Sequence, residues 1–145
     1  MTLEPSVIAK DHLRRRTILL VEDEPFVREA TGSILERAGF EVLPAIDAQS
    51  AIRIHEQKQG GIDLVMTDMV LPGQTGQQLG HELRERSPEI AVLITSGYAN
   101  AESEIEGCEA LTYFLAKPYS RRTLLEKVEK ILATAPLSEA ATQAG

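Results

Sequence analysis

With 145 residues, 43% of them apolar, the chain can bury one sizeable core but hardly two, and wholesale disorder is excluded. A formal net charge of -7 and the absence of tryptophan argue against direct nucleic acid binding through phosphate contacts or base stacking. Cys108 is the only cysteine, which rules out an intramolecular disulfide and a thiolate zinc site and leaves a small packing residue.

Residues 1–14 are polar and broken by Pro5, so they predict an N-terminal tail, not a signal peptide. Arg14-Arg15-Arg16 is a short solvated basic run. Thr17 to Val21 predicts a first strand. Pro25 then suits a first helical turn, with Asp23 or Glu24 as cap and a face of Phe26, Val27, Ala30, Ile34, Leu35 and Ala38 before Gly39. Phe40 to Ala45 predicts a second strand, and Asp47 caps a helix with Ala48, Ala51, Ile52 and His55 on its face. The third strand is expected over Ile62 to Thr67, followed by a loop through Pro72, Gly73 and Gly76 and a helix from Thr75 to Ser87. Ala91 to Ile94 predicts a fourth strand, and Gly97 to Gly107 a short, weakly packed, mobile helix. Leu111 to Leu115 is the fifth strand; Ser120 caps a last helix carrying Leu124, Leu125, Val128, Ile131 and Leu132. Residues 135–145 predict a flexible C-terminal tail.

Short apolar runs alternating with helical periodicity predict an α/β fold over residues 15–134. Right-handed crossovers and helices on both faces favour the flavodoxin-like (βα)5 doubly wound parallel sheet, strand order 2-1-3-4-5. No apolar stretch reaches membrane-spanning length, so a cytoplasmic protein with no membrane contact is expected.

Each apolar run ends in chemistry. Glu22-Asp23 follows the first strand, Asp68 the third, Thr95-Ser96 the fourth and Lys117-Pro118 the fifth. In a parallel sheet these ends meet at one edge, where such sheets bind ligands. Gathered carboxylates repel, and oxygen-only donors suit Mg2+. A lysine and a hydroxyl beside them can neutralise a phosphoryl oxygen, and a carboxylate can itself accept the phosphoryl group. The parts are those of a metal-assisted aspartyl phosphate site.

Ile18-Leu19-Leu20-Val21-Glu22-Asp23-Glu24, Asp68-Met69-Val70-Leu71-Pro72-Gly73, Thr95-Ser96-Gly97-Tyr98 and Lys117-Pro118 together resemble the receiver domain of two-component response regulators. That resemblance implies that Asp68 is the phosphoacceptor, charged by a histidine kinase or a histidine phosphotransfer protein. It implies that Asp23, Asp68 and the backbone carbonyl of Val70 bind Mg2+ directly, with Glu22 acting through water. Lys117 would pair with Asp68 and then with the phosphoryl group, the Lys117-Pro118 bond being commonly cis in the family. The hydroxyl switch falls on Ser96, with Thr95 the alternate, and the aromatic switch on Phe114, where many relatives carry tyrosine. Glu22 stands where aspartate is commoner, and Val70 gives no polar group beside the acceptor. The output would be control of a downstream protein target, with a phosphorylation-dependent homodimer as a further expectation. The readout surface would be acidic in part, through Glu102, Glu104, Glu106 and Glu109. On this reading the chain is a regulatory domain, whose only catalysis is its own phosphorylation and slow dephosphorylation.

Two other classes compete. A haloacid-dehalogenase-like phosphatase also uses a strand-end Asp, Mg2+ and a lysine, but wants a second Asp where Val70 stands. A phosphorylation-independent protein-binding receiver would have no use for the full acidic set. A flavodoxin-like cofactor carrier is disfavoured because Glu22-Asp23-Glu24-Pro25 would repel a phosphate.

Overall fold

A computed structural model describes residues 15–97 and 111–134. Five parallel strands form the sheet: β1 (Thr17–Val21), β2 (Glu41–Ala45), β3 (Leu64–Asp68), β6 (Ala91–Ser96) and β7 (Thr112–Ala116), in the order β2-β1-β3-β6-β7. Counting only these five, that is the expected order 2-1-3-4-5. The register sets Val21 beside Thr67 and Asp68 beside Thr95, so the strand ends come level along one edge. Between β3 and β6 a small hairpin, β4 (Val70–Leu71) and β5 (Gln74–Thr75), occupies the stretch expected to be loop. The helices are α1 (Pro25–Arg37), α2 (Ala48–Lys58), α3 (Gly76–Arg86) and α4 (Arg121–Thr134). The expected helix over 97–107 lies outside the described residues from 98 on, as do Cys108 and both tails. No helix among the described residues is long and apolar enough to cross a membrane.

Strand alternation divides the core into two layers. Leu19, Val21, Val65, Val92, Ile94 and Phe114 meet Ala48 and Ala51 of α2 and Leu79 and Leu83 of α3. Ile18, Leu20, Leu64, Met66 and Leu93 meet Leu35 of α1 and Leu124, Val128 and Ile131 of α4 on the other face. Local signals start the helices, at Glu24, Asp47 and Ser120 as expected and at Thr75 where no cap is expected. Glu24 caps α1 through Phe26 N, Asp47 and Thr75 form capping boxes with Ser50 and Gln78, and Ser120 Oγ accepts from Thr123 N at 3.0 Å.

Several details differ from the sequence reading. The inner stripe of α1 is Thr31, Gly32 and Leu35, while Ala30 and Ala38 are exposed and Phe26 is 81% exposed. The helix crosses the sheet at its small residues: a Cβ on Gly32 would sit 3.7 Å from Leu20 and 3.8 Å from Val42, ordinary contact. Large apolar side chains were a poor guide because Phe26 lies in the first turn, ahead of that crossing. β3 starts at Leu64 and ends on Asp68 itself, not at Thr67; Asp63 just ahead of it accepts from Thr17 N at 2.8 Å. β7 likewise runs one residue later than expected, after Leu111 at a left-handed φ of 65°.

His55, on the expected face of α2, is buried at 4% exposure, its Nε2 2.9 Å from Ser87 Oγ. Burial holds its pKa below the ordinary value, with Arg86 acting in the same direction and Glu56 opposing. The unfolded chain therefore takes up this proton first, so stability should fall as pH drops below about 6.5 and level off beneath the folded pKa. Urea melts at pH 7.5 and 5.5 should show that loss, and His55→Asn should remove its own part of it. An unchanged pH slope in the variant would contradict the assignment.

Candidate functional site

The site stands on the ends of four neighbouring strands, β1, β3, β6 and β7. β1 runs out at Val21, and Glu22 N donates to Ala45 O at 3.0 Å, which keeps the turn tied to β2. Arg28 of α1 reaches back to the Glu22 carbonyl at 2.8 Å, and Glu24 N donates to Glu22 Oε2 at 3.2 Å. Glu22 is thereby folded inward to 5% exposure, while Asp23 stays exposed and Asp68 is half-buried. The carboxylate oxygens of Glu22, Asp23 and Asp68 all lie within 4.8 Å of one another.

Lys117 closes the crevice from β7. Its Nζ is 3.1 Å from Asp68 Oδ1 and 3.6 Å from Glu22 Oε1, and its backbone N–H donates to Ser96 O at 2.7 Å. The Lys117–Pro118 peptide is cis. Burial works against the ammonium, but the hydrogen bond and charge of Asp68 and the charge of Glu22 outweigh it, so its pKa is raised. Glu22 is also raised, first by burial and then by the charges of Asp68 and Asp23; Glu24 N–H and Lys117 oppose that rise. One ammonium thus faces three carboxylates, a charge deficit that a hard cation with oxygen donors would satisfy. The donor set therefore fits Mg2+.

Pleating separates the two hydroxyl candidates. Val92, Ile94 and Phe114 share one core layer and Leu93 and Leu115 the other, so Ser96 projects with Phe114 and Thr95 with Leu115. Thr95 is the register partner of Asp68, yet its buried hydroxyl turns to Thr67 O at 3.5 Å. Ser96, one residue nearer the edge, accepts from Lys117 N through its carbonyl. Val70 opens β4 two residues beyond Asp68 with its side chain 59% exposed, and Phe114 is buried. Tyr98, Glu102, Glu104, Glu106 and Glu109 lie outside the described residues.

Residues given no role at the site in the sequence reading also shape it. Thr67 Oγ1 donates to Asp68 O at 2.9 Å, Met69 N to Thr95 O at 2.8 Å, and Gly76 N to Met69 O at 2.7 Å. Tyr119 bonds across to Thr31 at 3.0 Å. Only Gly76 left a signal, as punctuation in a Pro/Gly turn; Arg28, Thr31 and Tyr119 read as ordinary helix and loop residues.

Comparison with known proteins gives the same picture. The family model described as "Response regulator receiver domain" matches residues 18–129. The chain is 37% identical over 117 residues to the sensor kinase CckA of Brucella abortus, covering 80% of this chain and 12% of the kinase. Among solved structures, the receiver domain of the hybrid histidine kinase CckA superposes with a TM-score of 0.70 at 36% identity, covering 80% of this chain and 98% of that one. The response regulator TrrA of Thermotoga maritima gives 0.70 at 28% identity, covering 80% and 98% respectively.

Proposed function

The chain belongs to the response regulator receiver family of two-component signalling, and on that premise we propose that it is a switch charged at Asp68. The observation that carries this reading is the Lys117 ammonium 3.1 Å from the carboxylate of Asp68, in a crevice shared with two further acids. The receiver unit on this reading is residues 15–134. The phosphoryl group comes from a phosphohistidine on a histidine kinase or phosphotransfer protein.

In the transfer, an Asp68 carboxylate oxygen attacks phosphorus. The O–P bond forms as the N–P bond breaks, and the electron pair returns to the departing imidazole nitrogen. Lys117 holds the attacking carboxylate and then the phosphoryl oxygens, offsetting the charge that gathers there. Glu22, Asp23, Asp68 and the Val70 carbonyl would hold Mg2+, which supplies charge neutralisation at the phosphoryl oxygens. The related TrrA structure is described as a complex with Mg2+ and BeF, which supports that assignment. Ser96, on the Phe114 side of the sheet, would donate to the phosphoryl group and let Phe114 repack, with Thr95 kept as packing. The product is control of a protein partner, with a phosphorylation-dependent homodimer as one form of it.

Incubation with Mg2+ and acetyl phosphate should produce a phosphoryl adduct that is base-labile, and peptide mapping should place it on Asp68. A protein that takes no label and shows no Mg2+ affinity would overturn the reading. Turnover of a free phosphorylated substrate would favour a phosphatase instead.

The adduct should decay slowly. Val70 projects into solvent with no polar group to orient an attacking water near Asp68. Val70→Asn should speed decay several-fold, followed as loss of adduct mass with time, whereas fast decay in the unaltered chain would reject the explanation.

A further inference from the structure

Two hydroxyls that the transfer step leaves unused meet between α1 and the segment after β7. Tyr119 Oη and Thr31 Oγ1 lie 3.0 Å apart, joining residues 88 positions apart in sequence. Thr31 is 4% exposed on the inner stripe of α1, and Tyr119 packs partly buried against the core layer beneath α1 and α4. Burial pushes the Tyr119 phenol up; the Thr31 bond and the Lys117 ammonium oppose this, while the charges of Glu22 and Asp68 add to it. The phenol therefore remains a donor at neutral pH and lies within electrostatic reach of the crevice.

Lys117 precedes Tyr119 by two residues, and its N–H is fixed to Ser96 O at 2.7 Å. Residues 117–119 are thus held at two points, one on β6 and one on α1. That same helix, through Arg28, grips the carbonyl of Glu22 at 2.8 Å. One helix therefore carries ties to both walls of the crevice. The ammonium has two acidic neighbours at unequal range, Asp68 at 3.1 Å and Glu22 at 3.6 Å. Which of them it serves depends on where its backbone is held.

We infer that Tyr119 is a positioning residue for phosphoryl transfer, its hydrogen bond to Thr31 anchoring the Lys117 segment on α1 so that the ammonium stays at Asp68. Packing alone would need only the ring; the hydroxyl pair adds direction, and small displacements of a catalytic group cost rate steeply. The inference rests on the proposed roles of Asp68 and Lys117, and its test separates the two.

Tyr119→Phe and Thr31→Val each remove one hydroxyl at nearly constant shape, and Thr31→Ser keeps it. Two readouts apply: the maximal rate of labelling by acetyl phosphate at saturating Mg2+, and the side-chain ammonium NMR signal of Lys117, assigned with Lys117→Arg. Each hydroxyl deletion should lower the maximal rate about 10-fold without changing the half-saturating donor concentration. The double variant should be no slower than either single one, and Thr31→Ser should restore the rate. The ammonium signal should shift in both deletions and not in Thr31→Ser. Normal rates with an unmoved signal in Tyr119→Phe would reduce the bond to packing and overturn the inference. A wild type that takes no label would overturn the phosphoacceptor reading instead; the ammonium signal, which needs no transfer, still decides whether this bond holds Lys117.

Discussion

Asp68→Asn should abolish the base-labile adduct completely while leaving the fold intact. The amide keeps the shape of the side chain but is neither a competent acceptor nor a charged metal ligand. Its effect on metal-free stability should be small because two terms oppose each other. The variant loses the Lys117 pair at 3.1 Å, a partly buried contact, but the ammonium keeps Glu22 at 3.6 Å and is not left unpaired. It also loses one of three carboxylates crowded within 4.8 Å, which relieves repulsion on Glu22 and lowers the pKa that Asp68 helps to raise. The metal-free melting temperature should therefore stay level or rise. Saturating Mg2+ tells the other half: a ligand at 100 times its Kd stabilises the native state by about 2.7 kcal/mol, and the variant should lose most of that gain. Thermal melts with and without Mg2+, run beside the labelling assay, check all three expectations. A large loss of metal-free stability would mean that Asp68 is structural.

The sheet and its reactive edge were legible because both follow from local pattern. Apolar runs of four or five residues ending in Glu22-Asp23, Asp68 and Lys117 mark strand ends without reference to anything distant, and a parallel sheet must bring such ends together. Glu24, Asp47 and Ser120 act as caps through bonds spanning two or three residues, also local. What stayed hidden depends on partners far along the chain. α1 turns Thr31, Gly32 and Leu35 inward, with Gly32 facing Leu20 and Val42 of the sheet, while Phe26 stays exposed. His55 is buried because Ser87 meets it 32 residues later. Spacing in the sequence fits either Thr95 or Ser96, and which of them shares the face of Phe114 is set by the pleat.

Gly76→Ala should be the most damaging single methyl addition near the site. Gly76 shows no left-handed φ, so alanine could adopt its backbone angles, and the demand for glycine is one of space. A Cβ there would collide with the Asp68 carbonyl oxygen, and would lie 2.9 Å from Thr67 Cγ2 and 3.1 Å from Thr67 Oγ1. The Thr67 side chain cannot simply turn away, because its hydroxyl is spent on that same carbonyl at 2.9 Å. Backbone must move, either Asp68 at the end of β3 or the first turn of α3, whose Gly76 N–H is bonded to Met69 O at 2.7 Å. Overpacking of this kind costs about 1–3 kcal/mol, which for a domain of this size is a melting temperature lower by roughly 5–15 °C. The damage should also be chemical. If β3 yields, the Asp68 carboxylate leaves its place beside Lys117, and labelling should slow at least 10-fold even well below the melting transition. If α3 yields instead, stability falls but the labelling rate holds. Acetyl phosphate labelling at 15 °C beside a thermal melt distinguishes the two. Wild-type values in both would show that the close approach of α3 to Asp68 is not a feature of the folded protein.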